Sequence, residues 1–143
     1  AVELAGHRAI LLGDWAEADE LPPSDRVLFL RSAPHDWLFP RVAAVVHHGG
    51  AGTTAAGLRA GKPTLVVPFF ADQPFWGRRI QALGVGPAPL PPKRLTPERL
   101  AHALDRIVSD EGMRARAAAL GERIRQEDGV GRATEIVLRC FSG

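Results

Sequence analysis

One short stretch of this sequence, VVHHGGAGTTAAGLRAGKP at residues 45–63, combines donors for an anion with very little side-chain bulk. An apolar run ends in His47 and His48, and a helix can begin near Gly52 or Thr53. Backbone N–H groups at the start of such a helix, together with its dipole, favour an anion. Glycines let a ligand approach the backbone closely, while hydroxyls and an imidazole add donors. The stretch therefore predicts a phosphate or diphosphate cradle. Its residues would be Gly49, Gly50, Gly52, Thr53 and Thr54.

Three nucleotide-binding patterns compete for this stretch. A Walker P-loop does not fit, because Pro63 stands where that pattern needs Ser or Thr. A dinucleotide fingerprint fits better, since residues 50–55, GAGTTA, match G-x-G-x-x-A and Asp72 follows about 20 residues on. A nucleotide-sugar site would also use a histidine and the Asp72-Gln73 pair. A tight strand-to-helix turn, in which small residues serve packing alone, is the alternative without a ligand.

Two further groups of residues follow predicted strands. Asp72 and Gln73 offer a carboxylate and an amide that together can hold the hydroxyls of a polyol, although Asp72 before Pro74 would equally serve as a helix N-cap. His35 and Trp37 follow the second predicted strand, at 27–31. Trp37 could stack on a base or pack under a short helix, and the sequence leaves both open.

The two neighbouring histidines do not predict a metal site. Successive side chains of a strand point to opposite faces, so His47 and His48 would not converge on one ion. The sequence also has no CxxC or HExxH spacing. We expect one histidine to hydrogen-bond structurally while the other faces the ligand, and we expect no metal and no cofactor.

The predicted elements alternate between strand and helix. Arrangements of this kind form a Rossmann-like parallel sheet with helices on both faces, and ligands bind beyond the carboxyl ends of its strands, where residues 45–63 lie. The last third is helical, with Thr96 capping one helix, a second helix ended by Gly129 and Gly131, and a short final helix. A loop is predicted at 14–25, and a Gly/Pro loop with a short edge strand at 84–94. Strands are predicted at 8–13, 27–31, 42–48 and 64–70, one helical turn before Pro40, and helices at 53–60 and 74–83.

Composition places limits on the kind of protein. The 143 residues suffice for one domain with its own core, and the sequence has no apolar run near the roughly 20 residues of a membrane span. Cys140 is the single cysteine, which fits the cytoplasm, and balanced charge argues against a nucleic-acid partner. The sequence begins AVELAGHRAI without Met, so we expect a piece of a longer chain.

Residues 32–96 closely resemble the C-terminal domain of sterol 3-beta-glucosyltransferases and their bacterial relatives, which are two-domain glycosyltransferases of the GT-B fold. The matching sequence is SAPHDWLFPRVAAVVHHGGAGTTAAGLRAGKPTLVVPFFADQPFWGRRIQALGVGPAPLPPKRLT. A more distant similarity extends to vancomycin-type transferases and to the plant secondary-product transferase box. The resemblance implies that this domain binds a nucleotide sugar, usually UDP-glucose, and that an N-terminal domain binds the acceptor.

The resemblance also implies roles for individual residues. His48 matches the histidine that contacts the donor diphosphate, and Asp72 and Gln73 match the pair that holds the sugar hydroxyls. His35 lies near the base-recognition position of the plant box, and Trp37 belongs to the sterol-type pattern beside it. The remaining diphosphate positions are Gly50, Gly52, Thr53 and Thr54.

The sequence departs from the plant box at two positions. Ala56 replaces the glutamate that grips the ribose, so the ribose would have to be held by other groups. Gly52 replaces an asparagine, which shifts phosphate contact to backbone N–H groups.

These expectations combine into one interpretation. Residues 1–143 would form the donor-binding domain of an inverting, metal-independent glycosyltransferase, without its first strand and without the acceptor domain. The histidine base would lie in that domain, so we expect no catalytic residue in this chain. The intact enzyme would be cytoplasmic, with peripheral membrane contact through the other half. The alternatives are a non-catalytic donor-binding subunit of a split glycosyltransferase, whose partner chain supplies the acceptor half, and an NAD-type dinucleotide-binding domain.

Overall fold

The computed structural model describes residues 1–13 and 24–141 and contains four short strands in parallel pairs. In the described part of the chain they form two separate hydrogen-bonded pairs, β1 with β2 and β3 with β4. Ala9 lies opposite Val27 in the first pair, and Val45 lies opposite Thr64 in the second. The strands are β1 (Ala9–Leu12), β2 (Val27–Leu30), β3 (Val45–His47) and β4 (Thr64–Val66).

Six helices connect or follow these strands within the described residues. The cap predicted at Thr96 is confirmed, because its hydroxyl oxygen accepts the N–H of Arg99 at 3.3 Å. A 3-10 turn, Phe39–Arg41, extends the first helix past Pro40, and another lies at Pro92–Arg94. The helices are α1 (His35–Leu38), α2 (Ala51–Arg59), α3 (Gln73–Ala82), α4 (Pro97–Ser109), α5 (Glu111–Arg125) and α6 (Gly129–Phe141).

Two predictions about the second half of the chain were wrong. Gly129 and Gly131 do not separate the last two helices but lie in the first turn of α6, and the break falls at 126–128. The Asp128 carboxylate accepts the N–H of Gly131 at 2.9 Å, and a Cβ at that glycine would overlap the carboxylate. The glycine therefore leaves room for the cap that starts the helix.

The segment at 84–94 contains no strand, contrary to expectation. The segment still hydrogen-bonds to backbone groups at the free edge of β4. The Val85 carbonyl accepts the N–H of Thr64 at 3.0 Å, and the Leu90 N–H donates to the Val66 carbonyl at 2.9 Å. The loop predicted at 14–25 lies mostly outside the described residues.

The core lies on both sides of β4. Val66 packs with Ile80 of α3 and Ala117 of α5, whereas Leu65 packs with Ile107 of α4 and the start of α5. Because adjacent strand residues point to opposite faces, helices cover both faces of this strand, as predicted. In contrast, α6 buries none of its residues, and none of the described helices is long and apolar enough to cross a bilayer.

The pairing of β3 with β4 brings two segments to one edge of the fold. Because the strands are parallel, the chain leaves both at their carboxyl ends, through 48–50 and 67–72. The segments nearly touch there, since a Cβ on Gly49 would lie 3.0 Å from the carbonyl oxygen of Gln73. The fold thus brings the two predicted groups of site residues together.

Candidate functional site

His47 is the structural histidine of the pair. Its Nδ1 accepts the N–H of Gly49 at 2.8 Å, so the neutral ring carries its proton on Nε2. Burial, and to a lesser extent the charges of His48 and His35, together lower the pKa of His47 to about 4. The Nε2 atom is buried and has no hydrogen-bond partner in the described structure. His47 is therefore a neutral acceptor for the backbone at physiological pH.

His48 lies on the open side of the same turn. Its side chain is exposed, and its ring stands 6.1 Å from that of His47 at 85°. A Cβ on Gly50 would lie 2.5 Å from His48 Nε2, so the imidazole covers the Cα of that glycine. Within residues 1–13 and 24–141, no three His, Cys, Asp or Glu side chains gather in a way that could hold a metal.

The start of α2 presents uncapped backbone donors. Gly50 occupies the N-cap position with extended φ and ψ, and no described side chain caps the helix. The first backbone hydrogen bond runs from the N–H of Thr54 to the carbonyl of Gly50 at 2.9 Å, which leaves the N–H groups of 51–53 without a partner in the described residues. The helix begins two residues earlier than predicted. Uncapped N–H groups at a helix start, together with the helix dipole, have the chemistry to hold an anion beside His48.

Thr53 and Thr54 occupy different environments. Thr53 is half-buried, whereas Thr54 is 1% exposed on the inner face of α2. The Thr54 hydroxyl has no partner among the described groups. Phosphate contact by Thr54 remains a prediction, and its burial makes Thr53 the better donor.

Asp72 is engaged by a tryptophan. Its Oδ2 accepts the indole N–H of Trp76 at 2.8 Å, and the Trp76 ring meets Phe75 edge-on at 5.1 Å. Although Asp72 directly precedes α3, it makes no side-chain capping bond there. Asp72 thus occupies the predicted N-cap position without capping the helix through its side chain, and the exposed carboxylate has one oxygen outside the Trp76 bond. Asp72 and Trp76 are four residues apart, a spacing at which side chains on a helix meet, so the sequence contains a signal for this contact.

Gln73 has a structural role that sequence reasoning missed. It is 6% exposed, and its Oε1 accepts the N–H groups of Phe69 at 2.7 Å and Phe70 at 3.1 Å. This bond pair closes the turn in which Ala71 has a φ of +54°, a value rarely adopted by residues with a Cβ. The amide nitrogen makes no hydrogen bond within the described structure, so it is the group of Gln73 that a ligand could engage.

The side chains of His35 and Trp37, which precede β3, are exposed. His35 stacks on Phe39 with ring centroids 4.5 Å apart, and its charge reaches His47. Trp37 is 53% exposed, and the Arg41 guanidinium lies 4.7 Å from its ring centroid. The alternative in which Trp37 packs under a short helix is therefore wrong. Arg41, which donates to the Trp37 carbonyl at 2.6 Å, is a cation that sequence reasoning overlooked.

The candidate site lies apart from two cavities of the described structure. Two cavities of about 490 and 470 Å³ lie elsewhere, one beside Lys62 and Arg114 and the other beside Arg94 and His102. Neither is lined by a residue of the candidate site. A ligand bound beside His48 would thus need another surface to enclose it.

The class of protein follows from solved structures with the same fold. The glycosyltransferase VinC, in complex with DTDP, matches with a TM-score of 0.81 and 26% identity, over 92% of this chain and 34% of that one. A glycotransferase of kitacinnamycin matches with a TM-score of 0.81 and 27% identity, over 96% of this chain and 37% of that one. The fold is the C-terminal half of a GT-B glycosyltransferase, as predicted.

The particular family is defined by sequence. The chain belongs to the family of the erythromycin biosynthesis protein CIII-like C-terminal domain, whose model matches residues 12–141. A sterol 3-beta-glucosyltransferase of Arabidopsis thaliana is 46% identical over 136 residues, which cover 94% of this chain and 21% of that protein. One from Cryptococcus neoformans is 46% identical over 127 residues, covering 89% of this chain and 8% of that protein. The chain thus spans about a fifth or less of these two relatives.

Proposed function

We propose that this chain is the donor-binding part of an inverting glycosyltransferase. The intact enzyme would transfer a hexose, with glucose as the first candidate, from a UDP-sugar to a hydroxyl of a lipid, sterol or natural product. Family membership and the relatives named sterol 3-beta-glucosyltransferase support this proposal. The DTDP bound to VinC supports a nucleoside diphosphate as the leaving group.

The observation that carries the proposal is that uncapped helix N–H groups and an exposed carboxylate lie at one edge of the fold. The uncapped N–H groups of α2 and the exposed His48 lie there, and Asp72 follows the adjacent strand. The backbones of the two segments approach closely at Gly49 and Gln73. A sugar linked to a diphosphate has the same two functional groups next to each other.

In the proposed mechanism, this chain stabilises the departing diphosphate. The N–H groups at 51–53, Thr53 and His48 would donate to oxygens on which charge develops as the bond to the anomeric carbon breaks. The free oxygen of Asp72 and the amide of Gln73 would orient the sugar hydroxyls. The acceptor hydroxyl attacks from the opposite side and gives its proton to a base outside this chain, which inverts the anomeric centre. No metal is required in this scheme.

The nucleoside would lie toward α1. The exposed face of Trp37 offers a surface for a base, and His35 lies nearby. Ala56 supplies no carboxylate for the ribose. We therefore expect the choice between nucleotides to depend less on ribose contacts and more on stacking of the base on Trp37.

Titration calorimetry with UDP, dTDP, UDP-glucose and NAD tests the proposal. We expect UDP and UDP-glucose to bind, with heat that scales with active protein, and NAD to give no signal. Binding of dTDP more tightly than UDP would move the donor class from uridine to thymidine. Tight NAD binding without any signal from a nucleoside diphosphate would refute the proposal in favour of a dinucleotide-binding domain.

A further inference from the structure

We propose that His47 is a positioning residue of the diphosphate site, which acts through the Gly49 N–H to fix the turn that carries His48 and the start of α2. The inference rests on the proposed function, because it names what holds that site in shape. His47 itself would not touch the donor. Its imidazole would accept the turn's backbone N–H, which in tight turns is usually done by a short Asn or Asp side chain.

The hydrogen bond of His47 has the spacing of an Asx turn. Its Nδ1 accepts the N–H two residues ahead at 2.8 Å, as Asn and Asp side chains do in tight turns. Gly49, the residue so held, has a φ of +96°. A Cβ at Gly49 would lie 2.7 Å from Val66 Cγ1 and 3.0 Å from the Gln73 carbonyl oxygen. The turn is therefore tight on one side and tied by His47 on the other.

Anchoring the turn from His47 keeps the helix donors free. A Ser or Asp at the N-cap would normally fix the start of a helix by accepting the N–H of its second or third residue. Gly50 occupies that position here and accepts nothing with a side chain. His47 stabilises the turn one residue before the cap, so the N–H groups of 51–53 remain available for a ligand.

The chemistry of the ring supports this role. A ring that accepts at Nδ1 must be neutral, and burial beside the charges of His48 and His35 keeps the pKa of His47 near 4. Its Nε2–H is a buried donor without a hydrogen-bond partner in the described structure, which costs free energy of folding. A residue chosen only for packing would not carry that donor. The Nδ1 bond to the turn is the interaction that the ring contributes.

Two substitutions distinguish the effect of the His47 hydrogen-bond acceptor from the effect of its ring volume. His47→Asn keeps a side-chain acceptor with Asx-turn reach, whereas His47→Phe keeps the ring volume without the acceptor. The readouts are amide hydrogen exchange at Gly49 and UDP affinity by calorimetry. In His47→Phe we expect faster exchange at Gly49 and UDP binding weakened by roughly 2- to 10-fold, the range of one ordinary hydrogen bond. His47→Asn should restore both.

Combining His47→Phe with His48→Ala tests whether His47 acts through its neighbour. If it does, the double variant loses less than the product of the two single losses. Unchanged exchange at Gly49 in a folded His47→Phe would overturn the inference, as would wild-type UDP affinity in that variant. Should His47→Phe fail to fold, a folded His47→Asn with strongly weakened UDP binding would overturn it as well. Lack of nucleoside-diphosphate binding by the unchanged chain would instead refute the proposed function, and the exchange at Gly49 would still report on the turn.

Discussion

Replacing Gly50 with alanine should separate the function of the candidate site from the stability of the fold. Gly50 has a φ of −62° and a ψ of 143°, which alanine adopts without strain. The new Cβ would lie 2.5 Å from Nε2, 3.3 Å from Cε1 and 3.4 Å from Cδ2 of His48. Because His48 is exposed, its ring can turn away into solvent. We therefore expect the free energy of unfolding to fall by no more than about 1 kcal/mol, the usual cost of alanine at an N-cap position.

The same displacement should weaken UDP binding. Ordinary contact with the new Cβ requires the imidazole to move by roughly 1 Å, which takes Nε2 out of the narrow range of hydrogen-bond distances. A hydrogen bond to a charged group contributes about 1.5–3 kcal/mol. That loss corresponds to roughly 10- to 150-fold weaker binding.

Calorimetry with UDP and chemical denaturation measure the two quantities on the same samples. Gly129→Ala is the matched control, because a Cβ there meets no atom within 4 Å and the residue lies in α6. This control should leave UDP affinity unchanged. In a His48→Ala background, Gly50→Ala should have almost no further effect on binding. Additive losses, or wild-type affinity in Gly50→Ala alone, would show that His48 does not contact the diphosphate from this position.

Three further outcomes are expected. His48→Ala should weaken UDP binding by about 1–3 kcal/mol in calorimetry, and unchanged affinity would remove His48 from the site. Gln73→Ala should reduce UDP-glucose binding more than UDP binding, and it should lower the free energy of unfolding by about 1–3 kcal/mol because two N–H groups lose their acceptor. Equal losses for both ligands would count against a sugar role, while Gln73→Glu keeps the acceptor as a control. The free energy of unfolding should fall by on the order of 3 kcal/mol between about pH 6.5 and pH 4, because the unfolded chain protonates His47 near pH 6.5 and the folded chain only near pH 4. A denaturation series across this range must lose that component in His47→Asn, or the assignment is wrong.

Sequence patterns predicted the elements that obey local rules. Thr96 before Pro97 marked a helix start because hydroxyl capping and a fixed proline φ act within one turn of the chain. Alternation along a strand predicted that His47 and His48 would differ, and the structure places one inside and one outside. Interactions of this range depend on a few neighbouring residues.

Features set by unusual backbone geometry were not predictable. The Gln73 oxygen meets the Phe69 and Phe70 N–H groups only because Ala71 adopts a positive φ, which no composition rule assigns to alanine. Similarly, the limits of β3 and β4 depend on where their shared ladder ends and not on the apolar runs, which continue beyond them. The Asp72 bond to Trp76 was only partly predictable. The sequence shows that the two residues are one helical turn apart. Whether the Asp72 carboxylate bonds Trp76 or caps α3 depends on the backbone dihedrals of Asp72, which the sequence does not show.

The bond between Asp72 and Trp76 also gives the chain an optical readout of its own occupancy. Indole emission responds to the groups that its N–H meets, and here the acceptor is the carboxylate proposed to hold the sugar. A hydroxyl that recruits Asp72 would alter the emission of Trp76, whereas a base on the exposed face of Trp37 would quench a second fluorophore beneath Arg41. The chain has three tryptophans, so comparing the chain with and without Trp37→Phe in a Trp15→Phe background would separate the two signals. The two ends of the donor could then be followed independently, without any label.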